Sequence, residues 1–254
     1  MKHKILLSIH GYAGDEKQIH ELLPFYEHHN LPIVVISPSD SPIDKVGPHI
    51  CWHGAGLRGY TGQLSWDRQQ EQMKHLLTYD VDWFFMNDAD SFCLNPVLPE
   101  YLFWEQNTLW SNLVEDFRKP GEHWEANEYP WPMDYHKGYP LKAAQPPYFI
   151  SRRALSKIVA VGPGDACPIT PFIDWQMVKL PIDAGVKLKA FLKCASCETT
   201  TFRGKAVMRE CILKHGAEMI HSIKNIEAAN ECLTAYKERN GICAVDLGPR
   251  GEAK

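Results

Sequence analysis

At 254 residues the chain is long enough to bury a sizeable core, in one large domain or two small ones. The formal charge of −4 argues against a surface that coats nucleic acid broadly, although acids crowd residues 80–134 while Lys and Arg recur over 137–224, which leaves room for a local basic groove. No run of about eighteen apolar residues occurs, so no membrane span is expected. Eight cysteines without a secretory leader favour a reducing, cytoplasmic setting with free thiols or a metal site over a disulfide framework.

Ile5-Leu6-Leu7-Ser8-Ile9 is too short for a signal peptide and reads as a first strand. A helix over 15–28 and a second strand over 33–36 complete a β-α-β start, ending at Ser37-Pro38-Ser39-Asp40. A Gly- and Pro-rich loop over 41–62 leads to a polar amphipathic helix over 63–78 and then to the apolar run Trp83-Phe84-Phe85-Met86-Asn87, a short buried strand. From 98 to 147 the pattern breaks: Trp104, Trp110, Trp124 and Trp131 stand among prolines and acids with little periodicity, which marks a functional insertion or a lid. Order returns with a strand at Tyr148-Phe149-Ile150-Ser151 and helices over 152–161 and 174–184, the latter with Asp174 at its N-terminus. A strand over 186–192, a helix over 204–215 and a strand over 218–221 follow, and residues 246–254 read as a frayed tail. The alternation favours an α/β sheet with its functional loops on one edge.

Asp88-Ala89-Asp90 follows the Trp83 strand directly. Carboxylates just past the C-terminal end of a buried strand stand where open α/β sheets bind ligands, and a hard oxygen pair suits Mg²⁺ or Mn²⁺ with positions left for water and phosphate. Asp-x-Asp alone commonly marks a solvated turn; the strand in front and the partners further along the chain give it weight.

Three segments, Phe85-Met86-Asn87-Asp88-Ala89-Asp90-Ser91, Gln145-Pro146-Pro147-Tyr148-Phe149-Ile150-Ser151-Arg152 and Ile220-His221-Ser222-Ile223-Lys224, occur in an order that resembles the GT-A class of glycosyltransferases, in detail the small nucleotide-diphospho-sugar transferases often found in phage genomes. The resemblance runs from the first strand to about residue 225. It implies a GT-A-like single domain over 1–245, a Rossmann-like mixed sheet flanked by helices, with 98–147 as the acceptor-side insertion. It further implies Asp88, Asp90 and His221 as ligands of Mn²⁺ or Mg²⁺, and Lys224 as a contact to the diphosphate of a nucleotide-sugar donor, a uridine one by expectation. The chemistry agrees, because breaking a nucleotide-sugar bond leaves a diphosphate with added negative charge, which a divalent ion and an ammonium stabilise. A lone histidine is more commonly an ordinary surface or core residue; His221 gains weight from Lys224 and the aspartates.

The nucleotide is expected across the ends of the first two strands, lined by Ser8 or by His10, Gly11 and Tyr12, with Asp40 accepting from the base and Arg68 facing the phosphates. For Arg68 a solvated helix face explains the residue equally well. Gly54-Ala55-Gly56-Leu57-Arg58-Gly59 matches the dinucleotide fingerprint in spelling, but no strand precedes it and no helix opens within it, so it reads as a loop. Asp174, an acid among apolar neighbours, is the first candidate for a general base toward the acceptor hydroxyl, against the plainer role of a helix N-terminal carboxylate; Glu115, Asp116 and Asp134 come after it. Aromatic residues between Tyr101 and Tyr148 offer stacking faces for an acceptor as well as core filling. The phage likeness suggests a hydroxymethyl-pyrimidine of modified DNA as acceptor, with Arg118, Lys119, Lys137, Lys142, Arg152 and Arg153 on its phosphates.

Two other readings stay open. Cys194, Cys197, Cys211 and His215 have spacing compatible with a structural zinc site, which would fit a zinc-stabilised nucleic-acid-binding protein, with Lys187, Lys189, Lys193, Arg203, Lys205 and Arg209 nearby in sequence. A sugar-1-phosphate nucleotidylyltransferase shares the sheet and the acidic ligands, but the stretch from His10 to Asp15 lacks the basic residues of its phosphate loop.

Overall fold

A computed structural model describes residues 3–11, 15–37, 44–53, 62–115, 142–162, 173–196 and 202–241. The first apolar run forms β1 (Ile5–His10), and α1 (Glu16–Glu27) returns the chain to β2 (Ile33–Ser37), which lies parallel to β1. Ile19, Leu22, Leu23 and Tyr26 share one stripe of α1 and are buried. Just past β1, Gly11 lies close under α1: a Cβ there would come within 2.5 Å of Ile19 Cδ1.

The expected loop over 41–62 holds two short strands, β3 (Lys45–Val46) and β4 (His49–His53), ahead of α2 (Gly62–Leu76). β5 (Trp83–Asp88) then pairs with β1 on the side opposite β2. The chain has stepped outward through β2 and β4 and come back past β1, so the crevice between the ends of β1 and β5 is a topological switch point. His10 and Asp88 face each other across it in register.

The described parts of 98–147 are more regular than their composition suggests. They hold a 3₁₀ turn (Glu100–Phe103), β7 (Thr108–Glu115) after the short β6 (Phe92–Cys93), and the start of β8 (Lys142–Ser151); residues 116–141 lie outside the described set. β7 lies between β8 and β9 (Lys187–Ala190), and Leu109 and Trp110, on its opposite faces, are both buried, so no alternation reaches the sequence. Pro146 and Pro147 fall where the β7–β8 register slips between Trp110 and Asn112, and there the missing N–H groups break no ladder.

The sheet runs β3-β4-β2-β1-β5-β8-β7-β9, parallel around β1 and antiparallel at β5–β8 and β8–β7. Alternate residues split into two cores. Leu7, Ile9, Trp83 and Phe85 pack with α1 and α6 (Ile226–Arg239). Leu6, Phe84, Met86 and Ile150 pack with α2, α3 (Arg152–Val161) and α4 (Ile173–Asp183). Ser151 caps α3 through Ala154 N–H, and Asn225 caps α6 through Ala228 N–H. A second sheet, β10 (Cys194–Ser196), β11 (Met219–His221) and β6, stands beside the first, with α5 (Phe202–His215) packed on β10 and α6. No described helix is long and apolar enough to cross a membrane.

At the end of α1, the rings of His28 and His29 lie 4.1 Å apart, and His29 Nδ1 is 3.3 Å from the Pro96 carbonyl. Burial, then the charge of His28, pushes His29 down to about 3. The unfolded chain therefore takes up a proton near pH 6.5 that the folded chain refuses until about 3, so this contribution is full above 6.5 and lost as pH falls. Urea unfolding should show stability dropping from pH 7 to 5, with a smaller drop in His29→Gln. Equal drops in the two proteins would contradict the assignment.

Candidate metal centre

Asp88 closes β5 and Asp90 lies in the turn that leads into β6. Main-chain bonds hold this turn: Ala89 N–H donates to the His10 carbonyl at 3.1 Å, and Asp88 N–H donates to Ser91 Oγ at 2.9 Å. β6 pairs antiparallel with β11, Ile220 opposite Phe92, and this brings His221 to the same edge. Ser222 turns with φ +73°, Ile223 N–H donates to the Asp90 carbonyl at 2.9 Å, and Lys224 comes back over the turn.

Asp88, Asp90 and His221 each place one ligand atom so that all three lie within 4.8 Å of one another. His221 Nε2 is 3.5 Å from Asp90 Oδ1, and Lys224 Nζ contacts Asp90 Oδ2 across 134 positions of sequence. A cavity of about 260 Å³ opens in front of them, lined also by His10, Asp15 and Gln18. Burial lowers the pKa of His221 against the opposing pull of Asp90, and Lys224 adds to the lowering, so the imidazole is neutral at pH 7 with a lone pair to give. Two carboxylates and a neutral imidazole converging on an open cavity fit a hard divalent cation that keeps sites for other oxygens.

The remaining expected residues divide. His10 is buried at the cavity, its Nδ1 3.0 Å from Gln72 Oε1 and its Nε2 3.2 Å from Ser8 Oγ. Ser8 itself is fully buried, so it supports His10 instead of lining the cavity. Gly11 is fixed by packing, and its N–H donates to the Ile36 carbonyl at 2.8 Å. Tyr12, Asp40 and the glycine-rich loop lie outside the described residues; Arg68, Glu115 and Asp174 lie in α2, β7 and α4, with side chains outside them.

Arg152 is a correction. Its guanidinium donates to the carbonyls of Leu77, at 2.7 Å, and Tyr79, closing the turn after α2. Its N–H meets the Asp82 carbonyl just before β5, about 20 Å from Asp88 at the usual rise of a strand. Arg118, Lys119 and Lys137 lie outside the described residues, as do Asp116, Asp134, Trp124 and Trp131. Trp110 and Tyr148 are buried, whereas Trp104 is exposed. Cys197 is not described, and among the described residues Cys194, Cys211 and His215 form no ligand group.

Gln18, Tyr26 and Gln72 went unread in the sequence. Their side chains reach the site only through the packing of α1 and α2 on the sheet, for which the sequence carries no local signal.

No protein-family model matches the chain, and no curated protein matches it in sequence. Among solved structures, a glycosyltransferase involved in glycosylation of the major capsid of PBCV-1 is 11% identical, with 90% of this chain and 98% of that one covered at a TM-score of 0.46. The galactosyltransferase LgtC is 9% identical, with coverage of 96% and 98% and a TM-score of 0.48. The bifunctional glycosyltransferase WbbM is 10% identical with a TM-score of 0.50; the match covers 95% of this chain and about half, 51%, of that protein. At such identity the likeness is one of fold, and it is the GT-A-like mixed sheet flanked by helices that the sequence led us to expect.

The electrostatics of His221 are directly measurable. Its NMR titration midpoint should fall below 6.5, and Asp90→Asn should lower it further by removing the neighbour that favours the imidazolium. A midpoint above 6.5 in the unmodified protein would contradict the assignment.

Proposed function

We propose that the chain is a glycosyltransferase that moves a sugar from a nucleotide-diphosphate donor, a UDP-sugar, to a hydroxyl acceptor. The observation that carries the reading is the meeting of Asp88, Asp90, His221 and Lys224 at the switch-point edge of the sheet. In this reading Asp88, Asp90 and His221 hold Mn²⁺ or Mg²⁺, which when bound supplies Lewis-acid stabilisation of the departing diphosphate. Lys224 directs its ammonium at the same developing charge, and the half-buried setting strengthens that interaction over its value in water. His10, fixed by Gln72 and Ser8, presents an imidazole of set orientation to the donor.

Asp174 remains the proposed base for the acceptor proton, and Tyr12, Asp40 and Arg68 the proposed nucleotide contacts. A DNA acceptor loses Arg152 from its phosphate contacts, because that guanidinium closes the end of α2. A hydroxyl acceptor of another class fits the −4 charge better.

Thermal denaturation with UDP, with Mn²⁺ and with both tests the reading. Mass action gives about 2.7 kcal/mol of stabilisation at a hundredfold excess over Kd; because a cation shared between the protein and the diphosphate would couple the two binding events, the pair should raise Tm more than the sum of the two alone. In Asp88→Ala and His221→Ala the gain from Mn²⁺ should vanish. No shift with any uridine, guanosine, adenosine or cytidine diphosphate would count against a nucleotide-sugar donor.

A further inference from the structure

The turn bearing Asp88 and Asp90 and the segment bearing His221 and Lys224 come from distant parts of the chain, and a side chain from a third element joins them. Gln18, on α1, donates from Nε2 to the Ala89 carbonyl at 3.0 Å and to the Ile223 carbonyl at 3.2 Å. Ala89 lies between the two aspartates, and Ile223 lies between His221 and Lys224. Both hydrogens of one amide group thus grip the middle of each ligand-bearing segment.

About two turns along α1, Tyr26 adds a second hold on the same turn: its hydroxyl donates to the Ala89 carbonyl at 3.2 Å. A carboxamide suits the position because it donates twice without placing a charge beside Asp88 and Asp90.

We propose that Gln18, backed by Tyr26, is a positioning residue that sets the spacing of Asp88 and Asp90 against His221, and thereby the affinity of this group for a divalent cation. The inference rests on reading that group as a cation site. Ligand atoms confined within 4.8 Å tolerate little relative movement of the two segments, and groups that orient metal ligands typically govern affinity by about 10–100-fold. Gln18 is only half-buried at the cavity rim, so removing its amide opens no void in the core.

Mn²⁺ titration followed by electron paramagnetic resonance, on fully folded protein, tests this with Gln18→Met, Tyr26→Phe and Asp90→Asn beside the unmodified chain. Gln18→Met should weaken Mn²⁺ binding about tenfold and Tyr26→Phe by less, with Asp90→Asn the weakest of all. At saturation the spectrum of Mn²⁺ bound to Gln18→Met should differ from that of the unmodified protein, a change that lower global stability does not produce. Unaltered affinity and spectrum in Gln18→Met, with Asp90→Asn weakened, would overturn the positioning role and leave the cation site standing. If Gln18→Met does not fold, unaltered affinity in Tyr26→Phe overturns it instead. Absence of Mn²⁺ binding to the unmodified chain, or unaltered binding in Asp90→Asn, would overturn both.

Discussion

The antiparallel pairing of β6 with β11 places Ile220 opposite Phe92, and through that register His221 comes to lie beside Asp90. Without it the two aspartates would be a charged bend at a strand end. With it, a carboxylate pair fixed by β1 and β5 acquires an imidazole and an ammonium from the last third of the chain. The pairing is short, so Ile223 N–H to the Asp90 carbonyl and the Gln18 amide reinforce it from outside the ladder. The small sheet is itself braced by α5, which packs on β10 and on α6, while α6 packs against α1.

That convergence has an electrostatic cost that shapes the site. Two carboxylates with oxygens within 4.8 Å of each other repel, and partial burial deepens the penalty. Lys224 offsets part of it by contact with Asp90, and a divalent cation would offset the rest. His10, held by Ser8 and Gln72 behind it, is the side chain of this chain of hydrogen bonds that reaches the cavity.

Elements with a clear local pattern were legible in the sequence. β1, β2 and β5 show as short apolar runs, and α1, α3 and α4 as spaced apolar stripes with clear boundaries, such as Ser151 before α3. β7 was not, because its buried Leu109 and Trp110 stand beside Ser111 and Asn112, which leaves neither an apolar run nor an alternation. Nor was α6, whose buried side is Ala228, Ala229, Cys232 and Ala235 with Tyr236 alone bulky among them, and so marks only a weak stripe. At the site, the motif order singled out Asp88, Asp90, His221 and Lys224, whose proximity depends on tertiary structure that no local pattern encodes. Gln18 and Tyr26 were invisible for the same reason: on α1 they read as one polar residue and one core aromatic, and only the docked helix shows which carbonyls they reach.

The central claim is that these distant residues form one cation site for a nucleotide diphosphate. Crystals grown with Mn²⁺ and UDP, with data collected near the manganese edge, test it most directly. An anomalous peak bounded by Asp88, Asp90 and His221 is expected, with diphosphate oxygens on its open side and Lys224 against them. A peak elsewhere, or a diphosphate seated away from Lys224, would contradict it.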